Sequence, residues 1–225
     1  MELMLIFGAV ALTAVGAVVW HFNFSSRAKA RRTLSGTPRV PIAEVRDGMV
    51  IKLVGKLRLD DDAKPLIAPL SKRPCAHFGL KIERRESTGN TSYWKTIVNE
   101  SESQPFWLVD PSGRALIEAI VPNVVLNLDA HRTSGTFNEA TPDLDALLAR
   151  HGHSSRGWVF NKNIRYTEGV LEAGEIVAVV GLCKLETDPD PQAEGGGYRE
   201  RPMRLVVRAT DQGELLITDE LHLLR

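Results

Sequence analysis

Cys75 and His77 form the closest pairing in this sequence of a thiol with an imidazole. A thiolate beside an imidazolium is the nucleophile of cysteine hydrolases. Here the two residues are spaced i, i+2 in an alternating stretch. On a strand their side chains project in parallel instead of toward each other. No third group is evident to orient the imidazole. Cys75 and His77 are thus the catalytic candidates, and the expectation is a structural thiol beside a strand histidine. Cys183 lies in the most apolar segment and reads as inert core.

Other constellations are weaker. His151 and His153 flank Gly152, and His131 and His222 are the further histidines that a metal site would need. Nothing in their spacing requires a metal, and a helix C-terminus accounts for His151 through the macrodipole. Asp60-Asp61-Asp62 lacks the alternate spacing of a calcium loop and reads as a solvated turn. There is no P-loop, no G-x-G-x-x-G, no G-x-S-x-G and no H-E-x-x-H. Paired C-x-x-C motifs are absent as well, so no structural zinc, other metal or cofactor is expected. The best indication of a partner site is aromatic. Trp94 and Trp107, with Arg73 and Arg201, are the candidate partner-binding residues. Phe106 and Trp107 alternate, so one of the two faces outward, and exposed aromatics mark interfaces.

The elements that must carry these residues alternate with a period of two. In Val50–Leu59, Ile51, Leu53, Leu57 and Leu59 share one face and Lys52, Lys56 and Arg58 the other, with Gly55 predicting a bulge or tight bend. His77–Arg85, Tyr93–Val98 and Phe106–Val109 read as further strands. Asp110-Pro111-Ser112-Gly113 has the type I turn pattern and predicts a hairpin between Phe106–Val109 and Ala115–Val121. Glu175–Leu185 is apolar on both faces and predicts a central strand. Arg204–Ala209 and Glu214–Thr218 predict a final hairpin. One helix is marked by Thr141 as N-cap, Pro142 at the first position, the stripe Leu144, Leu147, Leu148, and Gly152 at the end. Gly89–Ser92 and Thr187–Tyr198 read as polar loops. The fold class is all-β to β-rich α+β, barrel- or sandwich-like, with one or two short helices.

Composition bounds the function. Lys+Arg number 28 and Asp+Glu 28, so there is no general basic excess and nucleic acid is not the expected partner. Two cysteines exclude a disulfide scaffold. The charges are unevenly placed. Leu3 to Trp20 is apolar apart from Thr13, long enough for a single membrane span, and Trp20, Phe22 and Phe24 sit as interfacial aromatics. Arg27, Lys29, Arg31 and Arg32 follow as a basic collar at the membrane surface. No Lys or Arg precedes the apolar run, which argues against a cleaved signal peptide. The positive-inside rule places the N-terminus outside and the remainder in the cytoplasm. The expected order is a transmembrane helix over 1–24, a basic juxtamembrane linker over 25–41 and a β-rich domain over 42–225, with the lipid bilayer and an unknown protein as partners.

The order of several fragments carries a resemblance. Gly48-Met49-Val50-Ile51-Lys52-Leu53-Val54-Gly55 is followed by Pro65 to Cys75, by Phe106-Trp107-Leu108-Val109-Asp110-Pro111-Ser112-Gly113 and by Thr167 to Glu175. Val179-Val180-Gly181 and Tyr198-Arg199 complete the set. This resembles the GIDE, or "beside a membrane", domain, over about Val40 to Leu221. The best-known member of that family is a mitochondria-anchored ubiquitin ligase whose zinc-binding RING recruits the conjugating enzyme. Two cysteines cannot build a RING. The resemblance therefore implies a RING-less, bacterial-type member in an inner membrane, acting as a binding or scaffold module without its own catalysis. The alternatives are a component of a ubiquitin-transfer system, by resemblance alone, and a membrane-tethered barrel that binds nucleotide or single-stranded nucleic acid.

Overall fold

The computed structural model describes residues 28–60, 62–89, 91–120, 123–126, 130–134, 142–152, 164–189, 202–212 and 214–225. Its order begins with helix α1 (residues 28–36) and a 3₁₀ turn (Ile42–Glu44). Strands β1 (Val50–Arg58), β2 (Leu66–Ile67), β3 (Pro74–Cys75), β4 (His77–Thr88), β5 (Thr91–Ser103), β6 (Phe106–Asp110) and β7 (Gly113–Ile117) follow. Next come β8 (Asn123–Val125), β9 (Ala130–Ser134), α2 (Pro142–Arg150), β10 (Ile164–Leu171), β11 (Ile176–Thr187), β12 (Met203–Arg208) and β13 (Leu216–Thr218). A last 3₁₀ turn spans Leu221–Leu223.

Five of these strands close a ring. β1 pairs with β6, β6 with β7, β7 with β12, β12 with β11, and β11 returns to β1. Every pairing in the ring is antiparallel except β7 with β12. In chain order the ring strands β1, β6, β7, β11 and β12 run 1-2-3-5-4, which is the connectivity of an OB-type Greek-key barrel. β1 alternates as expected, with Ile51, Leu53 and Leu57 inside. It serves two partners, β11 along Val50–Lys56 and β6 along Lys56–Arg58. Gly55 lies where that change occurs. A Cβ there would stand 2.6 Å from the Val109 carbonyl oxygen, so the turn of the barrel wall requires glycine.

β11 is central, with β1 along one edge and β13 and then β12 along the other. Val177, Val179 and Cys183 enter the barrel core, while Val180 packs outside with α1 residues Ala30 and Leu34. That explains a strand apolar on both faces. The final hairpin is a correction. β12 and β13 do not pair with each other: both run antiparallel to β11, at Leu182–Thr187 and at Ala178–Val180. The free edge of β12 is taken in parallel by β7, which leaves β13 to follow β12 along the same edge of β11.

A second sheet, β5-β4-β10-β9, is built from the two long insertions between ring strands. α2 covers one side of it: Leu144, Leu147 and Leu148 pack on Leu80, Ile82, Val98, Ile164 and Tyr166. Gly152 ends the helix with φ near 70°, the left-handed C-terminal geometry that favours glycine. Thr141 lies outside the described residues. β4 and β5 join directly as a hairpin from Thr88 to Thr91, which corrects the polar loop expected over Gly89–Ser92. The Thr187–Tyr198 loop lies largely outside the described residues.

Within the segment read as a juxtamembrane linker, residues 28–36 are helical, and Arg39 bridges Lys52 in parallel. α1 is docked through Ala30 and Leu34 onto Val125, Val180, Leu216 and Leu223. Lys52, expected on a solvated face, is 1% exposed beneath it. The apolar run Leu3–Trp20 lies outside the described residues; among those residues no helix is long and apolar enough to cross a membrane.

Candidate functional site

The outer wall of the barrel along β1, β6 and β7 gathers the side chains that alternate away from the core. Phe106 and Leu108 point inward on β6, and Ala115 and Ile117 on β7. Trp107 and Val109 consequently face out, with Lys56 and Arg58 on β1 and Arg114 and Leu116 on β7. The register sets Arg58 opposite Trp107 and Lys56 opposite Val109. On the other side Val109 stands opposite Arg114 and Trp107 opposite Leu116. The Arg114 guanidinium carbon lies 4.6 Å from the centroid of the half-buried Trp107 ring. These residues open onto a cleft of about 560 Å³ whose lining includes Arg58, Asp60, Trp107, Ser112 and Arg114.

One rim of the cleft is the β6–β7 turn, which Asp110 organises. Its Oδ1 accepts the Ser112 amide at 2.7 Å, the Ser112 hydroxyl at 2.6 Å and the Gly113 amide at 2.9 Å. Its Oδ2 accepts the Ile42 amide at 3.0 Å, while Ser112 Oγ accepts the Ala43 amide at 3.1 Å. Partial desolvation raises the Asp110 pKa, but the hydrogen bonds from Ser112, Ile42 and Gly113 outweigh it and hold the carboxyl below its ordinary value. The strap that leaves α1 is thus fastened to the cleft's rim.

The other aromatic candidate, Trp94 on β5, has the same kind of partner. The Arg165 guanidinium lies 4.4 Å from its ring centroid. Arg165 in turn donates to Glu83 at 2.5 Å, and Lys81 pairs with the same carboxylate at 2.8 Å. In that cluster the cation over the ring is ion-paired; at Trp107, Arg58 and Arg114 form no ion pair with a carboxylate among the described residues. Trp94 and Trp107 sit on different sheets, and Arg73 is placed with neither, because it pairs with Glu172. Arg201 lies outside the described residues, as do Trp20, Phe22, Phe24 and Arg27. Lys29 and Arg31 are engaged by Glu214 and Glu220, while Arg32 is exposed.

Cys75 and His77 carry no nucleophilic arrangement. Cys75 is buried among Ala68, Phe78 and Val170, and its Sγ faces the Leu66 carbonyl at 3.6 Å. Burial first, then the charges of Glu168 and Glu172, push the thiol up to about 11. His77 is 5% exposed, lies 2.6 Å from Ser103 Oγ through Nδ1, and is lowered by burial to about 4. A thiol protonated at neutral pH beside a neutral, enclosed imidazole is structural chemistry. Cys183 is likewise pushed up to about 11 by burial in the barrel core. His151 approaches Glu100 at 3.3 Å and His222 approaches Glu220 at 3.5 Å. Among the described residues no group of three His, Cys, Asp or Glu side chains is placed to hold a metal ion.

Sequence reasoning singled out Trp107 but missed Arg58 and Arg114. The signal that finds them is the strand pairing, which the alternation pattern does not specify. A family model described as GIDE, E3 Ubiquitin ligase, matches residues 79–194. The chain belongs to the GIDE family. No curated protein and no solved structure matches it. The GIDE match runs from within β4 through β11, so it takes in Trp107, Asp110 and Arg114 of the cleft and all of the second sheet but the first two residues of β4.

Proposed function

We propose that this GIDE-family chain is a membrane-anchored binding domain that performs no chemistry of its own. The observation that carries the reading is the docking of α1. The apolar run Leu3–Trp20 has the length of a single span, and the chain enters α1 a few residues later. α1 is fixed to the barrel by Leu34 in an apolar contact, by Lys29–Glu214 and Arg31–Glu220, and by Lys52 below. A barrel attached this way is held close to the bilayer rather than swinging on a tether. The basic collar argues for an N-terminus outside and a cytoplasmic barrel, as in the inner membrane of a bacterium.

Two measurements test this. The full chain should stay with membranes through carbonate extraction, and a C-terminal reporter should be active only in the cytoplasm. Release by carbonate, or reporter activity in the exported compartment, overturns the reading.

A second reading follows from the family alone. GIDE-family membership makes this chain a candidate component of a ubiquitin-transfer system whose catalytic and zinc-binding parts are supplied by another protein. The two buried cysteines of the chain supply no RING. Cross-linking in intact membranes should then recover a conjugating-type protein, and its absence from the cross-linked set removes this reading.

A further inference from the structure

The cleft beside Trp107 is lined by two guanidinium groups, Arg58 and Arg114, and by the carboxylates of Asp60 and Asp110. Arg58 stands opposite Trp107 across the β1–β6 pair, and Arg114 lies over the Trp107 ring from β7. No carboxylate among the described residues forms an ion pair with either guanidinium. Asp110, the nearest acidic residue in the turn, has its oxygens filled by the Ser112, Gly113 and Ile42 donors. The cation over Trp94 is held differently: Arg165 is ion-paired with Glu83, which also pairs with Lys81.

The lining narrows the chemistry of a ligand that would fit the cleft. Guanidinium forks match phosphate and carboxylate oxygens in bidentate fashion. A bare anion needs neither an indole face nor about 560 Å³, a volume in the usual range for small-molecule sites. A lipid tail or other apolar ligand needs no cations. A half-buried indole under a guanidinium is a stacking platform for a flat heterocycle. Asp60 on the same rim offers an acceptor suited to sugar hydroxyls. The β6–β7 face is also the second and third ring strands, the face on which OB-type barrels take oligonucleotides and sugars.

We propose that this cleft binds a nucleoside phosphate, the base against the Trp107–Arg114 pair and the phosphate on Arg58 and Arg114. The ligand is either free nucleotide or a nucleotide unit of a single strand. The charges surround one ring rather than tracking along a groove, which suits one or two nucleotide units. The proposal rests on the reading of the barrel as a binding domain, and it does not require membrane attachment.

The test is calorimetric titration of the full chain in detergent micelles, at low salt and without magnesium. The titrants are ATP, AMP, adenosine, inorganic tripolyphosphate and a short oligothymidylate. A nucleotide or the oligomer should bind, with adenosine and tripolyphosphate each weaker by about tenfold or more. Trp107→Ala and Arg58→Gln should each weaken binding by about tenfold, the scale of one stacked base or one charged contact. Both positions are on the outer wall, and an unchanged thermal midpoint shows that the variants fold. Arg165→Gln, at Trp94, should leave affinity unchanged. Tighter binding of the oligomer than of ATP assigns the ligand to a single strand; equal or weaker binding assigns it to free nucleotide. The proposal is overturned if no nucleotide or oligomer binds, if tripolyphosphate binds as tightly as ATP, or if Trp107→Ala binds as well as the parent. In those cases a chain that still resists carbonate extraction keeps its reading as an anchored scaffold.

Discussion

The ammonium of Lys52, on the outer side of β1, donates to the carbonyl of Leu34 in the last turn of α1 at 3.0 Å. It also donates to the Arg225 carbonyl oxygen at 2.6 Å and, at 3.5 Å, to that of Leu223. One buried cation therefore joins the end of α1, the first barrel strand and the C-terminal turn. Burial, and then the charge of Arg39, lower its pKa. The carbonyl oxygens and the negative end of the α1 dipole offset the desolvation of the ammonium.

Replacing Lys52 tests how firmly α1 is held. Lys52→Ala removes the donor and leaves buried carbonyl groups unpaired, at a cost of about 2–4 kcal/mol. Lys52→Met keeps most of the packing volume and should lose less. Denaturant midpoints of the two variants should fall in that order. Amide exchange over residues 28–36 should rise more than exchange in β11. Equal exchange in parent and Lys52→Ala would show that the apolar contacts of Ala30 and Leu34 hold the helix without the lysine.

Gly55 and Gly36 make a second comparison. A Cβ at Gly55 meets the Val109 carbonyl oxygen at 2.6 Å and its carbon at 2.9 Å, both backbone atoms. Gly55→Ala must therefore displace β1 from β6, and overpacking of this kind costs about 1–3 kcal/mol. A methyl group at Gly36 would meet no atom within 4 Å, and the position needs no left-handed backbone. Gly36→Ala should be neutral or stabilising by about 0.4–1 kcal/mol, through the unfolded chain. Thermal unfolding of the two variants decides the point, and a neutral Gly55→Ala would contradict the tight closure of the barrel.

Much of the barrel was legible in the sequence because alternation reports which side chains face a core. β1, the β6–β7 hairpin with its Asp110 turn, the central position of β11 and the stripe of α2 all follow from local pattern. What was not legible depends on partners distant in the chain. α1 has only Ala30 and Leu34 as its buried apolar positions, too little for an isolated helix, so its stability comes from docking. Lys52 reads as a solvated strand residue until α1 covers it. The separation of β12 from β13 is decided by β7, more than eighty residues earlier, taking the other edge of β12. The cleft illustrates the same limit: Trp107 can be found by inspection, whereas Arg58 reaches it only through pairing across an insertion of two hairpins.

His77 gives the fold an acid-sensitive point. Its folded-state pKa is lowered from 6.5 to about 4, so above pH 7 both folded and unfolded states hold a neutral imidazole. As pH falls from about 6.5 the unfolded chain takes up a proton that the folded chain resists. Stability is therefore lost progressively between pH 6.5 and 4, reaching about 3 kcal/mol at the low end, given about 1.4 kcal/mol per unit of pKa difference. His77→Gln can still reach Ser103 and does not titrate. Its denaturant midpoint should change less between pH 7 and pH 4 than that of the parent, and parallel pH profiles would contradict the assignment.

Asp110 connects the strap from α1 to the rim of the cleft, and its removal should be felt at both. Asp110→Ala frees the Ile42 amide from one side and the Ser112 and Gly113 amides from the other. The partly exposed site limits the loss to about 1–3 kcal/mol. The carboxyl is held below its ordinary value, so its stabilising effect is present above pH 4 and fades as pH falls through the folded-state pKa. Parent and Asp110→Ala should therefore differ clearly at pH 7 and converge near pH 2. Asp110→Asn keeps one acceptor oxygen and should fall between them at neutral pH. Because Asp110 touches the cleft only through the turn it holds, its loss should raise amide exchange in 42–45 and 110–114 together. A rise confined to the turn would show that the strap from α1 is held by other contacts.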